Sequence, residues 1–267
     1  MPGVGGRLTA PSFNVARDRD WRILLDEIDE GEVVPIIGQD ALTEVIDGQV
    51  RDASRELALD FARELEMAEL ARESGLHWDA DTSSAATVLD TYVRWGGPES
   101  HAYDVLEDLV KNDDRPPPQP LHRLATITPL RLFVTTNFDD SLERALVAAG
   151  RKTVTTKAYK PTDEASDLEN DFENRRDAVV YHLLGKPGDG RFAVTDADIL
   201  EFMHQLLSPV SARRPEKLFD ALEKRHLLFI GCRFPDWLTR FFLRMARGMP
   251  LGDPHGLRNW IAGGTVE

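Results

Sequence analysis

The stretch Phe133-Val134-Thr135-Thr136-Asn137-Phe138-Asp139-Asp140 indicates the fold of this chain. The apolar run from Leu132 to Thr135 is typical of a buried strand, and it stops at a polar cluster that leads into a helix from about Ser141. In an open α/β sheet, ligands bind in the crevice at the carboxyl ends of the strands. Asn137 and Asp139 therefore stand where a nucleotide sugar would bind; alternatively, they only cap the helix that follows.

Three further apolar runs end in the same way, at a glycine or a small polar cluster. They are Val33 to Ile37, followed by Gly38; Val179 to Leu184, followed by Gly185; and Leu227 to Ile230, followed by Gly231. Strands that alternate with helical patterns indicate a parallel sheet. We therefore predict an α/β fold: a Rossmann-like, mostly parallel sheet with helices on both faces, whose strand ends converge on one site.

The segment between the first strand and Leu132 has mainly helical periodicity. It predicts an inserted helical subdomain at about 52–112 that packs over the cleft, preceded by a hairpin at the Asp-Gly pair of Thr43 to Val50. Asp52 to Glu73 is predicted as one long helix, and Asp113 to Pro120 as an extended connector. The domain is expected to span 18–250, between a flexible N-terminal arm (1–17) and a C-terminal tail or linker to a further domain (251–267).

Composition excludes several classes of protein. The 42% hydrophobic and 29% charged residues of this 267-residue chain are typical of a globular protein. The net charge of −14 argues against binding to a nucleic-acid backbone. No apolar run is long enough to cross a membrane, and no signal peptide is recognisable, so a cytoplasmic location is expected.

In their order and character, these segments resemble the SIR2-like family. The family pattern is P-x-h-G-A-G-x-S, T-T-N-[YF]-D, L-H-G and h-h-G-x-S-h-x-D, where h is a hydrophobic residue. Here the four motifs begin at Pro35, Thr135, Leu183 and Ile230. The resemblance is to the zinc-free prokaryotic branch found in anti-phage, NAD+-consuming systems, and the single cysteine, Cys232, agrees because a zinc ribbon needs four thiolates.

The resemblance implies an enzyme that hydrolyses NAD+ to nicotinamide and ADP-ribose, acting as the effector of a prokaryotic defence system without a metal. Asn137 would position the nicotinamide ribose or the attacking water, and His182 would be the general base. It also implies a homo-oligomer and a fused effector or sensor domain. The residues implied for binding NAD+ are Gly38, Gln39, Asp40, Thr136, Asn137, Asp139, Gly185, Gly231, Cys232 and Asp236.

The chain departs from the family pattern at three chemical positions. Leu184 stands at the position of the catalytic histidine, Asp40 replaces the second glycine of the first loop, and Leu42 replaces its serine. A carboxylate at position 40 would repel a diphosphate. His182 is two residues before Leu184, so it is either a displaced base or a core histidine. The alternative function is a degenerate module that binds a nucleotide without cleaving it, or that serves as an assembly scaffold.

Overall fold

Six strands form one parallel sheet in the computed structural model, which describes residues 17–79, 84–161, 166–172, 177–207, 214–232, 246 and 258–262. The strands of the described residues are β1 (Val33–Ile37), β2 (Thr43–Ile46), β3 (Gln49–Asp52), β4 (Leu132–Thr135), β5 (Val154–Ala158), β6 (Ala178–His182), β7 (His226–Ile230) and β8 (Asn259–Ala262). The sheet order is β5-β6-β4-β1-β7-β8, and every neighbouring pair is parallel. The predicted α/β fold with a parallel sheet is confirmed.

The helices, in chain order, surround this sheet and build the insert. They are α1 (Asp18–Asp29), α2 (Ala53–Glu64), α3 (Met67–Ser74), α4 (Ala85–Arg94), α5 (Glu99–Lys111), α6 (Gln119–Ala125), α7 (Ser141–Ala148), α8 (Asp196–Leu207) and α9 (Glu216–Lys224). Alternate residues of the strands enter two different apolar clusters. Val34 and Ile36 of β1 pack with α8 and α9, whereas Val33 and Ile37 pack with α1, α6 and α7. Helices therefore cover both faces of the sheet, as predicted.

The hairpin and the helical insert lie between β1 and β4. β2 and β3 pair in antiparallel fashion around Asp47 and Gly48, which both have positive φ (51° and 79°), so the Asp-Gly signal is confirmed. Helices α2 to α5 share a third apolar cluster. That cluster also contains Phe138 and Phe192, whose rings lie 5.5 Å apart, while Tyr103 of α5 packs edge-on against Phe192 at 5.3 Å. The insert thus packs against loops at the carboxyl ends of the strands.

Three elements differ from the sequence predictions. The single helix predicted from Asp52 to Glu73 is wrong, because the chain breaks at Glu66, which has φ 52°. The connector predicted to be extended as far as Pro120 is helical from Gln119, since proline fits the first turn of a helix. Asn259–Ala262, assigned to the tail, forms the edge strand β8.

Candidate functional site

β1 lies at the point where the strand order reverses. β4 pairs with one edge of β1 and β7 with the other, so the loops after these three strands meet at one position. In open α/β sheets this switch point is the usual place for a ligand. Three of the predicted sequence motifs, those around Gly38, Asn137 and Gly231, occupy these loops.

The Asn137 loop is fixed to β1 by hydrogen bonds. The backbone N–H of Thr136 donates to the carbonyl of Ile37 (3.0 Å), and the Oγ1 of Thr135 accepts from the backbone N–H of Asn137 (3.0 Å). The side-chain Nδ2 of Asn137 donates to the carbonyl of Gly38 at 3.3 Å, and the residue is half-buried. Asn137 therefore links two loops at the switch point and does not cap α7.

Asp139 does bind the start of the following helix. Its Oδ1 accepts a hydrogen bond from the backbone N–H of Ser141 at 2.9 Å. This contact fits both the capping interpretation and the expectation that Asp139 fixes the loop. Phe138, between the two polar residues, packs against the helical insert and so sets the direction of the whole loop.

The first loop and the loop after β7 are in direct backbone contact. A Cβ atom on Gly38 would lie 2.7 Å from the carbonyl oxygen of Gly231 and 2.9 Å from the Sγ of Cys232. A Cβ on Gly231, which has φ +65°, would lie 2.1 Å from the backbone N of Ala41. Both glycines are therefore required for packing of loop on loop. Cys232 lies half-buried beside them.

Three backbone amides of the first loop already donate hydrogen bonds to carbonyls of the protein. The N–H groups of Gly38, Asp40 and Ala41 donate to the carbonyls of Ile230 (2.9 Å), Gly231 (3.0 Å) and Gly38 (3.1 Å). In a dinucleotide fold, the amides of this loop face the pyrophosphate. Gln39 and Asp40 are exposed on a short 3-10 turn. This loop is thus not built as an open cradle for a diphosphate.

His182 ends β6 and is completely buried. Its Nδ1 lies 2.9 Å from the carbonyl oxygen of Asn137, and its Nε2 lies 2.8 Å from the Oε1 of Glu143 in α7. A general base must offer a lone pair to the substrate, and neither nitrogen of this ring does so. This geometry favours the interpretation of His182 as a core histidine, and its role as a displaced base stays a prediction.

Glu143 is a residue of the site that the sequence did not reveal. Its Oε1 also accepts from the Nζ of Lys186 (2.5 Å) and the Oγ1 of Thr156 (3.3 Å). Burial raises the pKa of Glu143, but the charges and hydrogen bonds of His182 and Lys186 outweigh it and lower this pKa to about 2. A glutamate in the first turn of an amphipathic helix is usually a surface residue, so no sequence signal distinguishes it.

The lowered pKa of Glu143 predicts an acid-sensitive fold. A carboxyl group with a pKa of 4.5 when unfolded and about 2 when folded contributes stability above pH 5, and this contribution is lost as the pH falls towards 2. We expect the free energy of unfolding, measured by urea titration, to fall over this range and to fall less steeply in Glu143→Gln. If the free energy of unfolding changes with pH equally steeply in the two proteins, the lowered pKa of Glu143 is wrong.

The other predicted residues are not all at the switch point. Gly185, with φ +79°, is buried, and a Cβ there would lie 2.4 Å from the carbonyl of Arg191, so it packs against its own returning loop. Leu184, at the position of the family histidine, is 3% exposed and belongs to the apolar core. Asp236 lies outside the described residues.

The described part of the chain shows neither a metal-type cluster nor a helix suited to a membrane. Within the residues that the structure describes, no group of three or more His, Cys, Asp or Glu side chains is arranged to hold a metal ion. Over those same ranges, no helix combines the length and the apolar character needed to span a bilayer.

The parallel sheet, its strand-end loops and the switch point define a Rossmann-like α/β domain. Residues 131–255, somewhat less than half of the chain, match the model of the SIR2-like domain family, so this part of the chain is similar to SIR2-like domains. The matched segment begins just before β4 and includes the Asn137 loop, His182 and the Gly231 loop, whereas β1 and Gly38 precede it. A search of curated proteins gave no match.

Proposed function

We propose that this SIR2-like domain binds NAD+ or an ADP-ribose-like nucleotide at the switch point and does not cleave it. One observation carries the proposal: both ring nitrogens of His182 face acceptors inside the protein, so the histidine of the site has no lone pair for a substrate. Leu184, buried in the core, supplies no replacement. Binding is supported by the SIR2-like match and by the half-buried Asn137 at the switch point.

Hydrolysis of NAD+ is the second candidate function. It is favoured by the Thr-Thr-Asn-Phe-Asp motif, which is complete and which places the amide of Asn137 between β1 and β4. In that case Asn137 would hold the attacking water without help from a histidine base. For either function, the setting that the resemblance implies is a homo-oligomer with a fused effector or sensor domain in an anti-phage system.

The two functions predict different results for one experiment. The protein is incubated with NAD+ or with ADP-ribose, its melting temperature is recorded, and nicotinamide release is followed by chromatography. We expect the melting temperature to rise without release of nicotinamide, since ligand at about 100 times its Kd stabilises a fold by about 2.7 kcal/mol. Release of nicotinamide by the wild-type protein would favour hydrolysis. If neither nucleotide shifts the melting temperature, both proposals fail.

Asn137→Ala tests whether the ligand lies at the switch point. We expect the Kd to increase about tenfold, because a side-chain hydrogen bond to a ligand contributes on the order of 1.4 kcal/mol. Asn170→Ala, which changes an exposed asparagine in a loop, is the matched control and should leave the Kd unchanged. Equal affinities of the two variants, measured by titration calorimetry, would place the ligand elsewhere.

A further inference from the structure

A line of hydrogen bonds runs across the sheet from α7 to β1. Glu143 Oε1 contacts His182 Nε2 (2.8 Å), His182 Nδ1 contacts the carbonyl oxygen of Asn137 (2.9 Å), and Asn137 Nδ2 contacts the carbonyl oxygen of Gly38 (3.3 Å). The four residues belong to four different segments: α7, the end of β6, the loop after β4 and the loop after β1. The direction of the Asn137 side chain therefore depends on groups that are remote from it in sequence.

The two contacts of His182 determine its protonation. A backbone carbonyl can only accept a hydrogen bond, so Nδ1 must carry a proton. Glu143 is ionised, since the ammonium of Lys186 shares the same carboxylate oxygen at 2.5 Å, and an ionised carboxylate also only accepts. Nε2 therefore carries a proton as well, and the ring is an imidazolium in a buried ion pair.

Other charged and polar groups face this pair. Lys186, after β6, adds a positive charge, and Thr156 of β5 donates to the same oxygen. Asp140, one turn before Glu143, is a half-buried carboxylate, and it is neutralised by Arg144 at 2.8 Å. Two cations thus meet the carboxylate of Glu143 directly, which explains how a charged glutamate is tolerated in a nearly buried position.

We propose that Glu143 is a positioning residue for the nucleotide site. By holding the ring at Nε2, it keeps the Nδ1 proton of His182 directed at the carbonyl of Asn137 and thereby sets the direction in which the amide of Asn137 points at the switch point. This inference rests on the proposed binding function and adds a residue that acts on the ligand only through Asn137. An ion pair that served packing alone would stabilise the fold without any effect on affinity.

Substitution of Glu143 separates these two roles. Glu143→Ala removes the acceptor, and we expect the Kd for NAD+ or ADP-ribose, measured on the folded protein, to increase about tenfold. Glu143→Gln can turn its amide NH2 towards Nε2, which then accepts a hydrogen bond, so a neutral His182 can retain its Nδ1 proton for Asn137, and the Kd should stay within about threefold of the wild type. Glu216→Gln, at an exposed site in the first turn of α9, is the control and should bind as the wild type does.

The double variant Glu143→Ala, Asn137→Ala gives the sharper test. If Glu143 acts through Asn137, adding Glu143→Ala to Asn137→Ala causes no further loss of affinity. Additive losses, or an unchanged Kd for Glu143→Ala, would overturn the proposal. Because Glu143→Ala leaves a buried cation unpaired and can fail to fold, the Glu143→Gln variant supplies a second test through the histidine itself.

The protonation of His182 is measurable without any ligand. In nitrogen NMR spectra at pH 7.5, we expect both ring nitrogens of His182 to carry protons in the wild type, and one to lose its proton in Glu143→Gln. An unprotonated ring nitrogen in the wild type would overturn the proposal. If the wild type binds neither nucleotide, the proposed function fails. A doubly protonated ring would in that case still support the line of hydrogen bonds that orients Asn137. A singly protonated ring would overturn that line.

Discussion

Gly231→Ala is expected to destabilise the protein by about 4 kcal/mol or to prevent folding. The new methyl group would lie 2.1 Å from the backbone N of Ala41 and 2.8 Å from its Cα, and φ at this position is +65°. The neighbouring backbone cannot easily move away, because the carbonyl of Gly231 accepts the N–H of Asp40 and its own N–H donates to Ala262 of β8. Urea unfolding of the two proteins measures the difference.

Gly150→Ala separates the contact from the strain of a left-handed backbone. Gly150 has φ +83°, but a Cβ there would meet nothing within 4 Å. This variant should lose only about 1 kcal/mol, the usual cost of an ordinary residue in that region. If Gly231→Ala and Gly150→Ala lose the same free energy of unfolding, the Gly38 and Gly231 loops can move apart. The prediction that close contact between them makes Gly231→Ala costly would then be wrong.

His182→Ala is expected to lower the free energy of unfolding by about 3 to 5 kcal/mol, the usual effect of removing one partner of a buried ion pair. The change leaves the half-buried carbonyl of Asn137 without its donor and the carboxylate of Glu143 without one of its two cations. His204→Ala, at an exposed site in α8, is the control and should stay within about 0.5 kcal/mol of the wild type.

The same variant distinguishes the two interpretations of His182. A structural histidine predicts a large loss of stability, and any loss of function should follow the fraction of unfolded protein. If His182→Ala is as stable as the wild type and yet loses nicotinamide release, the histidine is catalytic and the ring must have access to substrate. Thermal unfolding and chromatography on the same samples decide between them.

The sheet could be predicted from the sequence because its strands are buried on both faces. Such strands are continuous apolar runs, and the predicted bounds of Val33–Ile37 and Leu132–Thr135 are confirmed. The hairpin was equally recognisable, since Asp47 and Gly48 both adopt the positive φ that this turn requires. The sequence also predicted that the Asn137 loop lies near Gly38, because the carboxyl ends of neighbouring parallel strands meet at the same edge of the sheet.

The remaining features depend on tertiary contacts that have no local signal. β8 is only four residues long, and its partner β7 lies about 30 residues earlier in the chain. The break at Glu66 occurs without glycine or proline, so helical periodicity continues through it. Glu143 becomes a site residue only because α7 packs where His182 and Lys186 reach its carboxylate.

The central position of β1 has a consequence for synthesis of the chain. Its two partners, β4 and β7, follow it by about 100 and about 190 residues. At roughly 5 to 20 residues per second, β1 leaves the ribosome on the order of 10 s or more before its second edge is covered. The insert helices, which make local contacts, can form in that interval, while five apolar residues remain exposed. An apolar strand that lacks both partners for that time is prone to aggregation, and slower translation would lengthen its exposure.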